Sequence, residues 1–262
     1  MKISANGIQI HYELSGKEGA PVVVLSHSLS SSLVMWEPQM AALTSRFRVL
    51  RYDTRGHGDT EAPEGNYTLE QLGQDALALM DALGFEKVHW VGLSMGGMIG
   101  QYLALHHAER LLSLVLCDTA AAISEEGRPQ FLERSNTARE KGMQALVEGT
   151  LDRWFTRPYL DGNPPDVQPI RHQILNTAVN GYLGCSHAIQ ELDYLPRLHE
   201  IRLSTLIIVG EEDPGTPVAA AESMHEKIEG SGLVVLPSAK HLSNIEQAEA
   251  FNDALTAFLT VR

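Results

Sequence analysis

Cysteine is almost missing from this chain: Cys117 and Cys185 are the only two in 262 residues. Two thiols cannot form the disulfide framework of a small secreted domain, and they lie too far apart for a CxxC redox pair. No HExxH or comparable ligand cluster occurs either, so neither a metal nor a metal cofactor is expected. Basic charge is also scarce, with 20 Lys and Arg against 33 Asp and Glu, a net charge of −13, and no basic run. Such a surface repels phosphate backbones and anionic lipid, so no nucleic-acid or membrane partner is expected. No window approaches the ~18 uninterrupted apolar residues of a membrane span. The opening Met1-Lys2-Ile3-Ser4-Ala5-Asn6-Gly7 lacks the apolar stretch of a secretory leader, and a cytoplasmic protein is expected. What is present is 44% hydrophobic content, enough for one large domain to bury a core without staples. Nothing in the sequence fixes an oligomeric state.

Periodicity gives the layout. Ile8, Ile10, Tyr12 and Leu14 alternate with polar residues after an Asn6-Gly7 turn, which predicts an opening hairpin. Val22 to Leu25 is a continuous apolar run, as a strand buried on both faces requires, and Val49 to Tyr52 is a further strand candidate. Helical spacing from Thr68 to Leu83 ends at Gly84, a C-terminal cap signal. Strands at Val88–Leu93, Leu111–Cys117, Leu203–Val209 and Leu233–Leu236 alternate with helices at Met95–His107, Val218–Ile228 and Ile245–Leu259. This alternation predicts an α/β fold with a mostly parallel sheet covered on both faces. Residues 121–200 break the rhythm with helical patterning and no convincing strand, and predict a helical cap inserted into a core formed by 1–120 and 201–262. Cys117 is expected to be buried at a strand end.

The most specific chemical signal is Gly92-Leu93-Ser94-Met95-Gly96-Gly97, a G-x-S-x-G turn between an apolar strand and a helix rich in small residues. A turn that lifts one side chain to the carboxyl edge of a sheet leaves no room for Cβ atoms beside it, and Ser94 is the side chain it would present. A serine hydroxyl needs a base to take its proton and a third group to orient that base. Gly210-Glu211-Glu212-Asp213-Pro214 and Pro237-Ser238-Ala239-Lys240-His241 both follow strands, giving the order Ser94, Asp213, His241. Asp118 follows a strand at the same edge and is the rival acid, whereas Glu211 and Glu212 are expected to face solvent. His27 and His57 are rival bases, but both sit among turn residues and are expected to hold loops by hydrogen bonds. His106-His107 closes a helix, where imidazole complements the dipole. The Met95 N–H is one expected donor to a tetrahedral oxyanion, and the Leu29 N–H, in the loop His27 to Ser32, is the candidate for the second.

Together with the Tyr52-Asp53-Thr54-Arg55-Gly56-His57-Gly58 loop, these residues resemble the α/β-hydrolase superfamily over essentially the full length. Within it, Gly92 to Gln101, Cys117-Asp118-Thr119-Ala120-Ala121, Arg153-Trp154-Phe155-Thr156 and His241-Leu242-Ser243-Asn244-Ile245-Glu246 resemble the 3-oxoadipate enol-lactonases. Ser28-Leu29 departs from the His-Gly of many relatives. The resemblance implies a cofactor-free Ser-His-Asp hydrolase that opens a small lactone late in aromatic catabolism. Generic esterases and cofactor-free perhydrolases share these motifs, and a small-molecule receptor on the same fold is a third reading. Dehalogenase and epoxide-hydrolase chemistry needs an aspartate where Ser94 stands. An enol-lactone of this kind also carries a free carboxylate, for which Arg134, Arg153 and Arg157 are the candidate cations, with Trp154 as an apolar wall.

Overall fold

A computed structural model describes residues 1–125 and 127–260. The sheet has eight strands: β1 (Lys2–Ala5), β2 (Ile8–Gly16), β3 (Val22–Ser26), β4 (Arg48–Tyr52), β5 (Val88–Leu93), β6 (Leu111–Cys117), β7 (Thr205–Gly210) and β8 (Gly232–Leu236). Their spatial order is β1-β2-β4-β3-β5-β6-β7-β8. The β1-β2 and β2-β4 pairs are antiparallel and the remaining five are parallel. The hairpin turn is Asn6-Gly7, both at positive φ (46° and 78°), the pairing that two-residue hairpins favour.

The helices are α1 (Glu37–Thr44), α2 (Leu69–Ala82), α3 (Met95–His106), α4 (Gly127–Lys141), α5 (Val147–Trp154), α6 (Arg157–Asp161), α7 (Val167–Asn176), α8 (Val179–Gln190), α9 (Val218–Lys227), α10 (Ser243–Glu246) and α11 (Ala248–Thr260). Strand side chains alternate between two buried clusters. Val24, Trp90 and Leu114 pack with residues of α2, α3 and α9, while Val23, Leu25, Val91 and Val115 pack with α1 and α11. A strand buried on both faces must be apolar throughout, which explains the unbroken run at 22–25. Thr68 caps α2 by accepting the Gln71 N–H at 3.0 Å, and Gly84 follows at φ 76°.

Helices α4 to α8 are inserted between β6 and β7. The single helix expected from Ile245 to Leu259 is instead two, broken at Gln247 (φ −123°, ψ 50°). Its first turn is tied elsewhere, through Ser243 to Asp118 and through Asn244 Nδ2 to the Met35 carbonyl at 2.8 Å, so the axis cannot continue straight.

The loop after β4 meets the inserted helices at glycines. A Cβ on Gly181 of α8 would lie 2.0 Å from the Gly56 carbonyl oxygen, so this approach tolerates no side chain. The loop is fixed from below by a buried ion pair. Arg55 donates to both oxygens of Asp75 on α2, at 2.7 and 2.6 Å, and Asn6 donates to the same carboxylate at 2.7 Å. Removing one member of such a pair strands the other charge. Asp75→Ala is therefore expected to cost about 3–5 kcal/mol in urea unfolding, and a paired Arg55→Met/Asp75→Leu exchange much less than the sum of its single changes.

Candidate active site

Ser94 sits between β5 and α3 with φ 56° and ψ −114°, a conformation costing a non-glycine residue about 1–3 kcal/mol. Its neighbours hold it there. The Ser94 N–H donates to the Cys117 carbonyl at 2.9 Å, and its own carbonyl accepts from the Thr119 hydroxyl at 2.7 Å and the Met98 N–H at 3.0 Å. A Cβ on Gly92 would stand 2.1 Å from the Gly96 carbonyl oxygen, and one on Gly96 equally close, at 2.1 Å, to that of Ser26. The glycines are thus a packing requirement of the turn.

His241 and Asp213 stand in the loops after β8 and β7. The imidazole Nδ1 is 2.7 Å from Asp213 Oδ2. Asp213 also accepts from the Thr216 hydroxyl at 2.6 Å and from the Gly215 and Thr216 N–H groups at 2.8 and 3.1 Å. Thr216 is a residue of the candidate site that the sequence did not point to. Burial disfavours charge on both partners. Their mutual attraction outweighs it, holding His241 above and Asp213 below their ordinary values. The rival Asp118 is occupied elsewhere, its Oδ1 accepting the Gly210 N–H at 2.8 Å and its Oδ2 the Ser243 hydroxyl at 2.5 Å. Burial, with Asp213 near it, pushes the Asp118 carboxyl well up. Glu211 and Glu212 are exposed. No hydrogen bond joins the Ser94 hydroxyl to the imidazole, but both face one cavity.

The Met95 and Leu29 N–H groups have no intramolecular acceptor among the described residues. The Leu29 loop is held by the two rival bases. His27 Nε2 accepts the Thr54 N–H at 2.9 Å while its Nδ1 lies 2.7 Å from the Ser28 carbonyl, and His57 Nε2 accepts the Ser30 N–H at 3.0 Å. Both imidazoles are buried and neutral, which suits loop pins rather than bases.

The cavity, about 430 Å³, lies between the carboxyl edge of the sheet and helices α4, α5 and α8. Arg134 and Arg153 line it, with Trp154 and Tyr182. Arg134 lies over the Phe131 ring, 4.4 Å from its centroid, and Arg153 donates to the Thr150 hydroxyl at 2.9 Å. Neither is ion-paired among the described residues. Burial first, and Arg134 second, pull the Arg153 guanidinium down to about 10, so it remains a cation near neutral pH. Trp154 stacks near His241, with centroids 6.3 Å apart. Arg157 is corrected: it does not line the cavity, its side chain is 75% exposed, and it pairs with Asp161 at 3.0 Å. Position 157 opens the short helix α6, after the last cavity-lining residues of α5, Arg153 and Trp154.

A family model described as the alpha/beta hydrolase fold matches residues 21–248. The chain belongs to the α/β-hydrolase family. This hydrolase is 37% identical over 257 residues to 3-oxoadipate enol-lactonase 2 of Acinetobacter baylyi, covering 98% of this chain and 95% of the relative. Among solved structures it is similar to the enol-lactonase from Burkholderia xenovorans, with TM-score 0.96, 42% identity, and coverage of 99% of this chain and 100% of the other. A thermophilic esterase from Thermogutta terrifontis, solved with malate bound, gives TM-score 0.91 at 30% identity, covering 99% and 97% of the two chains. No helix among the described residues of the hydrolase is long and apolar enough to cross a membrane, and no group of three or more metal-ligating side chains is found among them.

The loop pins predict an acid sensitivity. Burial lowers His27 to about 4; burial, then the charge on His27, lowers His57 to about 3. Both are neutral when folded but protonate near 6.5 once unfolded, so their contribution is complete above pH 6.5 and is lost as pH falls toward those values. Each costs on the order of 2 kcal/mol between pH 6.5 and 5. His241, shifted upward, acts in the opposite sense. Urea midpoints are expected to fall between pH 7 and 5, and His57→Gln to show a smaller fall than the parent.

Proposed function

We propose that this protein is a serine hydrolase that opens the ring of an anionic enol-lactone, with 3-oxoadipate enol-lactone, an intermediate of aromatic catabolism, as its substrate. The observation that carries this reading is the pair of guanidiniums, Arg134 and Arg153, facing the cavity of Ser94 and His241 without an ion-pair partner among the described residues. Half-buried cations without a protein anion suit a ligand carboxylate, and guanidinium geometry favours it. The similarity to two enol-lactonases supports the same substrate.

In this mechanism His241 Nε2 takes the proton of Ser94 Oγ as the oxygen attacks the lactone carbonyl carbon. Asp213 holds the Nδ1–H and stabilises the imidazolium. The resulting oxyanion is met by the Met95 and Leu29 N–H groups, the first at the N-terminus of α3 with its dipole behind it. The ring C–O bond then breaks, and His241 returns the proton to the departing enol oxygen, which ketonises. The ring-opened acyl group stays on Ser94. Water, deprotonated by His241, attacks that ester and releases the acid, restoring the serine. Helices α4 to α8 act as a cap that supplies the carboxylate subsite, with Trp154 as its apolar wall. No cofactor enters any step.

The test is kcat/KM on 3-oxoadipate enol-lactone beside a short-chain nitrophenyl ester. A ratio well above one is expected; a ratio near or below one would favour a broad carboxylesterase, the reading that similarity to the Thermogutta esterase supports. Arg153→Met is expected to raise KM for the lactone by about 10–100-fold, the loss of a charge-assisted hydrogen bond, while leaving KM for the neutral ester within about twofold. Equal effects on both substrates would reject the carboxylate subsite.

A further inference from the structure

The peptide N–H groups on both sides of His241 are held by the same neighbourhood. The Leu242 N–H donates to the Trp154 carbonyl at 3.1 Å. The Lys240 N–H donates to Glu246 Oε2 at 3.0 Å. The other oxygen of Glu246, Oε1, accepts the Thr156 N–H at 2.9 Å and the Thr156 hydroxyl. Lys240 adds a further tie, its Nζ donating to the Asp152 carbonyl at 2.7 Å. One carboxylate therefore spans two segments: the loop that carries His241, and the turn from α5 to α6, which directly follows Arg153 and Trp154 at the end of α5. The Thr156 N–H, the Thr156 hydroxyl and the Lys240 N–H all donate to it, and a carboxylate accepts at both oxygens, whereas an amide would turn an NH₂ toward one of them.

We propose that Glu246 is a positioning residue that clamps the His241 loop to the α5–α6 turn, so that the general base and the carboxylate-binding guanidinium are held as one unit. This rests on the reading of Ser94, His241 and Arg153 given above. A 1 Å misplacement of a base or an anchoring group is enough to cost about 10²-fold in rate, so a clamp remote from the reacting atoms has a kinetic signature. Asp213, Asp118 and Arg153 bear on the charge of His241, and the Trp154 ring stacks near it. Glu246 reaches the imidazole through the backbone, by holding the Lys240 N–H next to it in the chain.

The experiment measures kcat, KM and pH–rate profiles on the carboxylated lactone and on a neutral short-chain ester, with melting temperatures, for Glu246→Gln and Thr156→Val. Glu246→Gln is expected to lower kcat on both substrates by about 10–100-fold. It should move the acid limb of the profile to lower pH, as the His241–Asp213 contact loosens, and raise KM several-fold for the lactone only. Thr156→Val removes only the hydroxyl's bond on the turn side of the clamp, leaving the backbone N–H bond of position 156 in place, and is expected to raise lactone KM several-fold with a smaller loss in kcat. A lower melting temperature with kcat, KM and the acid limb all within about twofold of the parent, measured where the variant is folded, would overturn the proposal. If Glu246→Gln does not fold, unchanged lactone KM in Thr156→Val would overturn it. If the parent does not open the lactone, the substrate reading fails while kcat and the acid limb on the neutral ester still decide the role of Glu246.

Discussion

The close approach of β5 and α3 around Ser94 is the constraint on which the rest of the site depends. A serine at φ 56° is strained, and it persists because its N–H and carbonyl are both committed to β6 and its continuation, and because Gly92 and Gly96 let backbone touch backbone. Two chemical consequences follow. The hydroxyl is raised to the carboxyl edge of the sheet, and the Met95 N–H, the first of α3, is left without a helical acceptor. The proposed nucleophile and the proposed oxyanion donor thus come from one turn.

The carboxyl edge also sorts two buried aspartates by their partners. Asp213 has the imidazole, a hydroxyl and two N–H groups, which favour its charged form against burial. Asp118 has one N–H and one hydroxyl and lies near Asp213, so burial prevails and its carboxyl is pushed up. Its contacts tie β7 and α10 to the end of β6, a bracing task that still places a titratable group beside the proposed relay.

Much of this was legible in the sequence because strand ends are legible. Ser94, Asp213 and His241 each follow an apolar run, and a parallel sheet brings such positions to one edge without further information. The hairpin, the capped helix α2 and the loop-pinning roles of His27 and His57 came from equally local signals. The inserted helices gave less. Which arginine faces the cavity depends on how α4, α5 and α6 pack, and α4 is polar enough that its periodicity does not mark a buried face. Hence Arg134 and Arg153 could not be separated from Arg157. Thr216 escaped because its bonds to Asp213, three residues away, look in the sequence like any polar loop turn, and Glu246 because its contacts are set by tertiary closure, meeting Thr156 ninety residues away in the chain. The break at Gln247 was hidden because Ser243 and Asn244 are held by groups from distant segments, the Asp118 carboxylate and the Met35 carbonyl.

In the proposed mechanism one serine, Ser94, carries the acyl group. Stoichiometric labelling with a fluorophosphonate, followed by peptide mapping and residual activity, tests this. One equivalent of label is expected on the peptide containing Ser94, with hydrolase activity lost in proportion, and no labelling of Ser94→Ala. Full activity in the labelled protein, or label on another side chain accompanied by inactivation, would contradict it.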